Sequence, residues 1–210
     1  MSLKFGIAVL ALVSAANPSF SAVPDDPAKV NPVSVGAPAP AFHANEVDGT
    51  EFHFDPRNLH QPALLIFYRG GWCPFCNTHL QELRHVIPTI RAMGYQVIFL
   101  STDQPKLLYS TLKEKFDYHI VSDSTTSAAR AFGVAYHVDD ATLATMKTYG
   151  IDLDATQGST THELPVPSVF IIDRAGIVRF RHFNADFRIR LDGASVLQAV
   201  QAITPTDKAK

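Results

Sequence analysis

The chain has 210 residues, with 18 basic and 20 acidic side chains and a formal net charge of −2 at pH 7. A weakly acidic chain without a basic run lacks the electrostatic surface that binds nucleic acid or anionic lipid. Its hydrophobic content of 46% is close to average. These values suit one compact domain with a full hydrophobic core.

The N-terminal 22 residues predict a secretory signal. Lys4 carries the only charge, residues 5–16 form an unbroken run of apolar or small side chains, and small residues with a proline follow. This run is too short to span a hydrocarbon core of ~30 Å comfortably. We therefore expect an exported protein, periplasmic or extracellular, without stable membrane insertion after cleavage.

A proline-rich segment follows the predicted signal. Its five prolines between residues 23 and 41 favour an extended lead-in over a helix or a central strand. We place the lead-in at residues 23–34, the folded domain at 35–204 and a polar tail at 205–210.

The domain alternates apolar runs with helix-period segments. Strands are predicted at residues 63–68, 95–101, 119–121, 169–173 and 177–183. Helices are predicted at residues 74–91, 105–115, 127–132, 141–149 and 194–203. This order predicts an α/β fold with a mainly parallel sheet, closed by an antiparallel hairpin. Pro88 should kink the first helix, and a polar loop is expected before Pro165.

The chain has only two cysteines, Cys73 and Cys76. A disulfide that closes a loop of about four residues gains only ~2 kcal/mol from chain entropy, so a structural staple is a poor explanation. The predicted strand ends just before a Gly-Gly turn, and Pro74 suits the first helical position, which makes Cys73 the N-cap. There its sulfur meets unpaired N–H groups and the positive end of the helix dipole, which favour a thiolate.

Cys76 lies one turn further into the helix, on the same face and shielded. This spacing predicts that Cys73 attacks and Cys76 resolves. Two inert buried cysteines remain an alternative. A zinc site is another, since His79 extends the motif to Cys-x-x-Cys-x-x-His, although no second Cys/His pair completes it. We expect His79 and Glu82 on the helix surface, and no cofactor.

Several segments together resemble a known family. The segment WCPFC (72–76) follows the predicted strand 63–68. Before that strand come VGAPAPAF (35–42) and DGTEFHF (48–54), and near the C-terminus come LPVPSVFIIDRAGIVRF (164–180) and FNADFRIRLDGASVLQAV (183–200). In this order they resemble the thioredoxin-fold superfamily, and within it the peroxiredoxin-like alkyl hydroperoxide reductase/thiol-specific antioxidant proteins. The likeness covers residues 33–203. It implies a thioredoxin-like fold, with a central mixed sheet flanked by helices.

The resemblance also implies roles for individual residues. Cys73 would be the peroxidatic cysteine and Cys76 its resolving partner. Trp72 would shield the sulfurs, or it could equally be an aromatic residue of the core. Pro167 falls where thioredoxin-like proteins have a cis-proline facing the dithiol, so that the backbone of Val166 would offer an edge to an extended substrate.

Two positions depart from the family pattern. Typical peroxiredoxins have a threonine three residues before the attacking cysteine, where this chain has Gly70. They also have an arginine just before the FIID-like strand, where this chain has Pro167. Arg69 could supply a cation near the thiolate instead, or it could be a solvated arginine at the end of a strand.

The expected function is that of an exported thiol redox enzyme that cycles Cys73 and Cys76 between dithiol and disulfide. One reaction is the reduction of peroxides, with electrons from another dithiol protein. Thiol–disulfide exchange with protein or small-molecule disulfides is an equal alternative. A third possible function is that of a substrate- or zinc-binding module that catalyses no reaction.

Overall fold

The structure, a computed structural model, describes residues 22–111 and 118–203. Residues 1–21 of the predicted signal, the end of the predicted helix 105–115 and the predicted tail lie outside the described residues. The strands are β1 Phe42–Glu46, β2 Glu51–Phe54, β3 Ala63–Tyr68, β4 Gln96–Ser101, β5 His119–Ser122, β6 Ala135–His137, β7 Glu163–Pro165, β8 Ser168–Ile172 and β9 Val178–Phe183. The helices are α1 Pro74–Arg84, α2 Ile87–Ala92, α3 Pro105–Thr111, α4 Ser127–Ala131, α5 Asp140–Thr148, α6 Leu153–Gln157 and α7 Gly193–Ile203.

Seven strands form one mixed sheet in the order β2-β1-β5-β4-β3-β8-β9. Only β3–β4 and β4–β5 are parallel pairs, while β1–β2, β1–β5, β3–β8 and β8–β9 are antiparallel. The mixed sheet implied by the resemblance is confirmed. The expectation of a mainly parallel sheet is wrong, because the hairpin β1–β2 extends one edge and β8 runs against β3.

The central strand β3 is buried on both faces and divides the core in two. Leu65 and Phe67 pack into the cluster on one face. Leu64 and Ile66 pack on the other, together with Cys76 and the apolar sides of α1, α2 and α7. This alternation follows from the period of two along a strand, and it places the dithiol over the centre of the sheet.

The predicted helix 74–91 is two helices rather than one kinked helix. It stops at Arg84, and α2 begins at Ile87 with Pro88 in its first turn. Pro88 has no N–H, and its ring would clash with the carbonyl group four residues earlier, which belongs to Arg84. The chain therefore ends one helix at that carbonyl and starts another.

The polar loop expected before Pro165 is more ordered than predicted. It contains α6 and ends in the strand β7, which pairs antiparallel with β6 in a separate two-stranded sheet. Strand β6 was also missed, because three residues are too few for a periodicity signal. This small sheet brings Glu163 and Leu164 beside the chain that follows α4.

The proline-rich lead-in contains one turn of 3-10 helix, Pro27–Lys29, capped by the Asp26 carboxylate. The prediction that excluded any helix there is wrong in this detail, since proline fits the first helical position. The other predicted strands and helices that lie fully within the described residues match the structure to within one residue at each end.

Candidate active site

Cys73 is the N-cap of α1, as predicted. Its N–H donates to the carbonyl of Gly70 at 3.1 Å, and its carbonyl accepts the first helical hydrogen bond from Asn77. Pro74 occupies the first helical position, and the Cys73 side chain makes no capping hydrogen bond. Backbone hydrogen bonds thus fix the position of Cys73 at the open end of the helix.

Both cysteines are free thiols and both are buried. Cys76 is fully inaccessible and Cys73 is only 1% exposed. The expectation of a shielded Cys76 is confirmed, whereas an outer, accessible Cys73 is not found in this structure. An oxidant must displace neighbouring side chains before it reaches the Cys73 sulfur.

The two thiols have opposite acidities. A hydrogen bond from the Cys76 thiol lowers the pKa of Cys73 to about 6; burial opposes this, and the Cys76 N–H and the charges of Arg69 and Arg190 support it. The hydrogen bond to Cys73, together with burial, raises the pKa of Cys76. The thiolate expected at Cys73 is thus favoured. The thiol of Cys76 lowers the pKa of Cys73 more than the backbone N–H groups that the sequence had indicated.

Arg69 supplies one of the cations near the thiolate. Its side chain is 6% exposed, and the guanidinium lies between two aromatic rings, 5.1 Å from the Trp72 centroid and 4.2 Å from the Phe187 centroid. The alternative of a solvated arginine is therefore wrong. Such stacking holds a guanidinium in place without neutralising its charge.

Arg190 is the second cation, and the sequence analysis missed it. Its Nη2 donates to the Cys76 sulfur at 3.4 Å across 114 residues of sequence. It lies in the segment between β9 and α7, where no motif or spacing connects it to the cysteines. Only the docking of α7 beside α1 brings it to the dithiol.

Aromatic side chains surround the sulfurs. Trp72 packs against the cluster that contains both cysteines, which agrees with the expected shielding. Phe75, between the cysteines, is 44% exposed and meets Phe187 edge-on at 5.6 Å. Phe187 thus contacts both Phe75 of the Cys-x-x-Cys segment and Arg69.

Two side chains at the end of β4 anchor the turn that precedes Cys73. The Thr102 hydroxyl donates to the Arg69 carbonyl at 3.1 Å, and the Gly71 N–H donates to the Asp103 carboxylate at 2.6 Å. Burial raises the pKa of Asp103. Neither residue was expected at the site from the sequence, although the carboxyl ends of neighbouring parallel strands share one edge of a sheet.

The structure explains why Gly70 cannot be replaced by threonine. A Cβ atom at this position would overlap the indole nitrogen of Trp72 and lie 2.8 Å from the Asp103 carboxylate. The side chains of Trp72 and Asp103 fill the volume that a threonine would need. Any group that polarises the substrate must therefore come from elsewhere in the site.

His79 lies on the buried face of α1, not on its surface as predicted. It is buried, and its Nε2 is 2.8 Å from the Leu191 carbonyl, which links α1 to the segment before α7. Burial lowers its pKa. Glu82 is exposed, as expected.

The segment at Pro167 differs from the implied geometry. No cis peptide bond occurs among the described residues, so the Val166–Pro167 bond is trans. Val166 is buried; its N–H donates to the Val134 carbonyl at 2.8 Å, and its carbonyl accepts from the Ser168 hydroxyl. The expected free backbone edge for an extended substrate is therefore absent here, because β6 and the residues before it occupy it.

Within residues 22–111 and 118–203, no three His, Cys, Asp or Glu side chains are arranged to hold a metal ion. The zinc alternative finds no ligand set in that part of the chain. The same residues contain no helix of the length and apolar character that crossing a bilayer requires.

The model of the AhpC/TSA family matches residues 35–181. The chain belongs to this family. Peroxiredoxin Bcp of Escherichia coli is 29% identical over 106 residues, which are 50% of this chain and 67% of that protein. The thiol:disulfide interchange protein DsbE of the same species is 26% identical over 161 residues, 75% of this chain and 70% of that protein.

Solved structures of AhpC/TSA-like proteins agree on the fold. Peroxidoxin BcpB from Mycobacterium tuberculosis superposes with a TM-score of 0.60 at 20% identity, covering 81% of this chain and 98% of that one. Peroxiredoxin 6 of Arenicola marina gives a TM-score of 0.64 at 19% identity, covering 85% and 76%. The protein is thus a thioredoxin-fold, peroxiredoxin-like, thiol-dependent oxidoreductase.

Proposed function

We propose that Cys73 is the attacking thiolate and that Cys76 resolves the oxidised intermediate. The observation that carries this proposal is the geometry of the pair, with Cys73 at the N-cap of α1 and Cys76 buried one turn inside. This geometry shifts the two pKa values in opposite directions, to about 6 for Cys73 and upward for Cys76. At pH 7 most of Cys73 is then ionised, while Cys76 keeps its proton as a hydrogen-bond donor. Only Cys73 is a ready nucleophile.

The geometry best supports reduction of a small hydroperoxide. Cys73 attacks one oxygen, the O–O bond breaks, and Cys73 becomes a sulfenic acid while an alcohol leaves. Cys76 then attacks the Cys73 sulfur, which yields a disulfide and water. A buried sulfur and a paired Val166 backbone favour a small oxidant over an extended protein segment. Arg69 and Arg190 provide positive charge where the leaving oxygen becomes negative.

Thiol–disulfide exchange is the second candidate. The two cysteines lie one helical turn apart, so that a disulfide between them forms and opens locally. Gly70 and Pro167 replace the two groups that peroxiredoxins use on the O–O bond, and DsbE is among the relatives. In this reaction Cys73 attacks a disulfide sulfur, and Cys76 releases the mixed disulfide.

Stopped-flow oxidation of the reduced protein tests these candidates. Trp72 is the only tryptophan and packs against the dithiol, so its fluorescence should report the reaction. Hydrogen peroxide should react faster than with free cysteine at equal thiolate concentration, and Cys76→Ser should leave a Cys73 sulfenic acid that dimedone traps. A rate no better than that of free cysteine would exclude the peroxidase. A mixed disulfide trapped in Cys76→Ser would then support exchange.

We also propose that the chain is exported and that a separate dithiol protein reduces the Cys73–Cys76 disulfide. Support for export comes from the apolar run 5–16 after Lys4. N-terminal sequencing of protein from the periplasm or the medium should show a start close to residue 23. Recovery of the chain only in the cytoplasm, beginning before residue 5, would contradict export.

A further inference from the structure

Arg69 and Arg190 have no acidic partner among the described residues. Four more exposed arginines behave differently: Arg57, Arg179 and Arg188 each pair with a nearby aspartate, and the half-exposed Arg130 pairs with Glu163. By contrast, the two guanidinium groups at the dithiol form no ion pair with a carboxylate in residues 22–111 and 118–203. Buried cations normally have such partners, because desolvation of an unpaired charge is costly.

The same two groups also have buried N–H donors without acceptors. Nε of Arg69 and both Nε and Nη1 of Arg190 are buried and make no hydrogen bond within the described protein. The free Nε and Nη1 of Arg190 lie on opposite edges of the guanidinium plane, so each of these donors can give one charge-assisted hydrogen bond to a carboxylate oxygen. Unsatisfied buried donors beside a reactive thiol indicate a ligand that supplies the acceptors.

The charges of the site point to an anion. An ionised Cys73 balances one of the two cations, and it becomes neutral once its sulfur has been oxidised. Arg190 touches the Cys76 sulfur, while Arg69 lies under Phe187 and acts on Cys73. The two cations therefore flank the dithiol, and at least one of them remains without a counter-charge throughout the cycle.

We propose that Arg69 and Arg190 bind a carboxylate of the oxidant, so that the enzyme prefers small anionic oxidants with a carboxylate close to the reactive O–O or S–S bond. This inference rests on the proposed function and specifies its substrate class. The carboxylate accepts hydrogen bonds from the free guanidinium N–H groups, and Phe187 moves aside to admit it. The reactive bond is thereby placed at the Cys73 sulfur.

Atoms and electrons balance for both kinds of oxidant that can carry such a carboxylate, a peroxide and a disulfide. With a peroxide, the two thiols give up two electrons and two protons, the O–O bond is cleaved, and the products are the protein disulfide, water and the reduced oxidant. With a disulfide, the Cys73 thiolate bonds to one sulfur and expels the other. Cys76 then displaces the second, so that two small thiols leave.

Matched pairs of oxidants separate the effect of the oxidant's charge from the effect of its intrinsic reactivity. For peroxides the pair is monoperoxysuccinic acid, which carries a carboxylate, and peracetic acid, which does not. For disulfides the pair is 3,3′-dithiodipropionate and bis(2-hydroxyethyl) disulfide. Each second-order rate constant is divided by that of 2-mercaptoethanol thiolate, which removes intrinsic reactivity. In at least one pair this normalised rate should be about tenfold higher for the anionic member, a modest effect for charges a few ångströms apart.

Three variants test whether Arg190 causes the preference for anionic oxidants. Arg190→Gln should reduce the ratio of anionic to neutral rates about tenfold, and Arg190→Lys should retain part of it, because lysine keeps the charge but loses the planar set of N–H donors. The matched control is Arg188→Gln, which removes the same charge from an exposed side chain paired with Asp186 and should leave the ratio unchanged. A ratio of two rates in one sample does not depend on the fraction of folded protein.

The outcomes distinguish this inference from the proposed function. Oxidation by the neutral reagents without any preference for the anionic ones would overturn the inference alone. A preference that survives in Arg190→Gln and in Arg69→Gln would also overturn it. Failure of all four reagents to oxidise the dithiol would overturn both the proposed function and the inference.

Discussion

Two identical side chains in the Cys-x-x-Cys segment become chemically different through their positions on one helix. Cys73 lies at the open end, where it accepts hydrogen bonds from the Cys76 thiol and N–H. Cys76 lies one turn inside, where it has no route to solvent. The resolving thiol itself stabilises the attacking thiolate, and the charges of Arg69 and Arg190 add to this effect.

Removing the thiol donor at position 76 should therefore weaken the acidity of Cys73. In Cys76→Ala the pKa of Cys73 should rise from about 6 toward the ordinary value of 9.0, because the largest stabilising hydrogen bond is lost. Cys76→Ser is the matched control, since its hydroxyl can still donate. The pH dependence of thiolate absorbance at 240 nm, or of iodoacetamide alkylation, measures this value. Equal values in the two variants would contradict the assigned cause.

The sequence predicted those parts of the site that depend on local geometry. The strand, the Gly-Gly turn and Pro74 determine where Cys73 lies, and these residues are adjacent in the chain. Arg190 and Asp103 could not be found in this way, because they reach the site through the packing of α7 and through the parallel neighbour of β3. His79 was placed on the wrong face for the same reason, since its partner is a carbonyl 112 residues away.

At the scale of elements, the small sheet β6–β7 determines what can approach the dithiol. It carries the chain into Val166 and pairs the residues around it. Glu163 in β7 fixes this sheet to α4: its carboxylate accepts two hydrogen bonds from Arg130, at 2.7 and 2.8 Å, and one from Thr126 at 2.6 Å. One buried carboxylate thus connects two elements far apart in sequence.

Neutralising this carboxylate should destabilise the fold. Glu163→Gln loses the charge and one acceptor, which should lower the free energy of unfolding by about 1–2 kcal/mol; the value is limited because Arg130 is 39% exposed and partly screened by solvent. Asp186→Asn breaks an arginine–carboxylate pair of the same kind on the surface and should have no measurable effect. Urea denaturation followed by circular dichroism measures both. Equal effects of the two variants would show that the buried position of Glu163 adds nothing.

At the scale of the whole molecule, the sequence predicted which segments are strands and helices better than it predicted how the strands run. Hydrophobic period and turn residues act locally, and they placed eight of the sixteen described strands and helices to within one residue at both ends. Strand direction depends on which partners meet across the sheet. Strands β6 and β7 have three residues each and are too short to show a clear period, and the direction of β8 against β3 is decided by packing over more than 100 residues of sequence. The mixed sheet therefore emerges only from the complete fold.

The stability of the whole fold should depend on the redox state and on pH together. In the reduced protein, Cys73 loses its proton near pH 6 when folded but near 9.0 when unfolded, so unfolding takes up one proton between these values. A group with a lowered pKa stabilises the folded state above that pKa, and the effect disappears as the pH falls through it. The unfolding free energy of the reduced protein, minus that of the oxidised protein, should thus rise by about 1.4 kcal/mol per pH unit from pH 6 to about 8.

This difference should level off near pH 9, where the unfolded thiols also titrate, and it should be constant below pH 6. Subtracting the oxidised protein, which has no titrating thiol, cancels the contributions of all other groups. Urea denaturation at unit pH intervals, with and without reductant, gives the curve. Reduced Cys73→Ser compared with the oxidised wild-type protein should show little slope from pH 6 to about 8, because its remaining thiol has no lowered pKa and is mostly protonated there in both the folded and the unfolded state. A flat curve for the wild-type protein would mean that folding does not stabilise a thiolate at Cys73, and the proposed nucleophile would lose its physical basis.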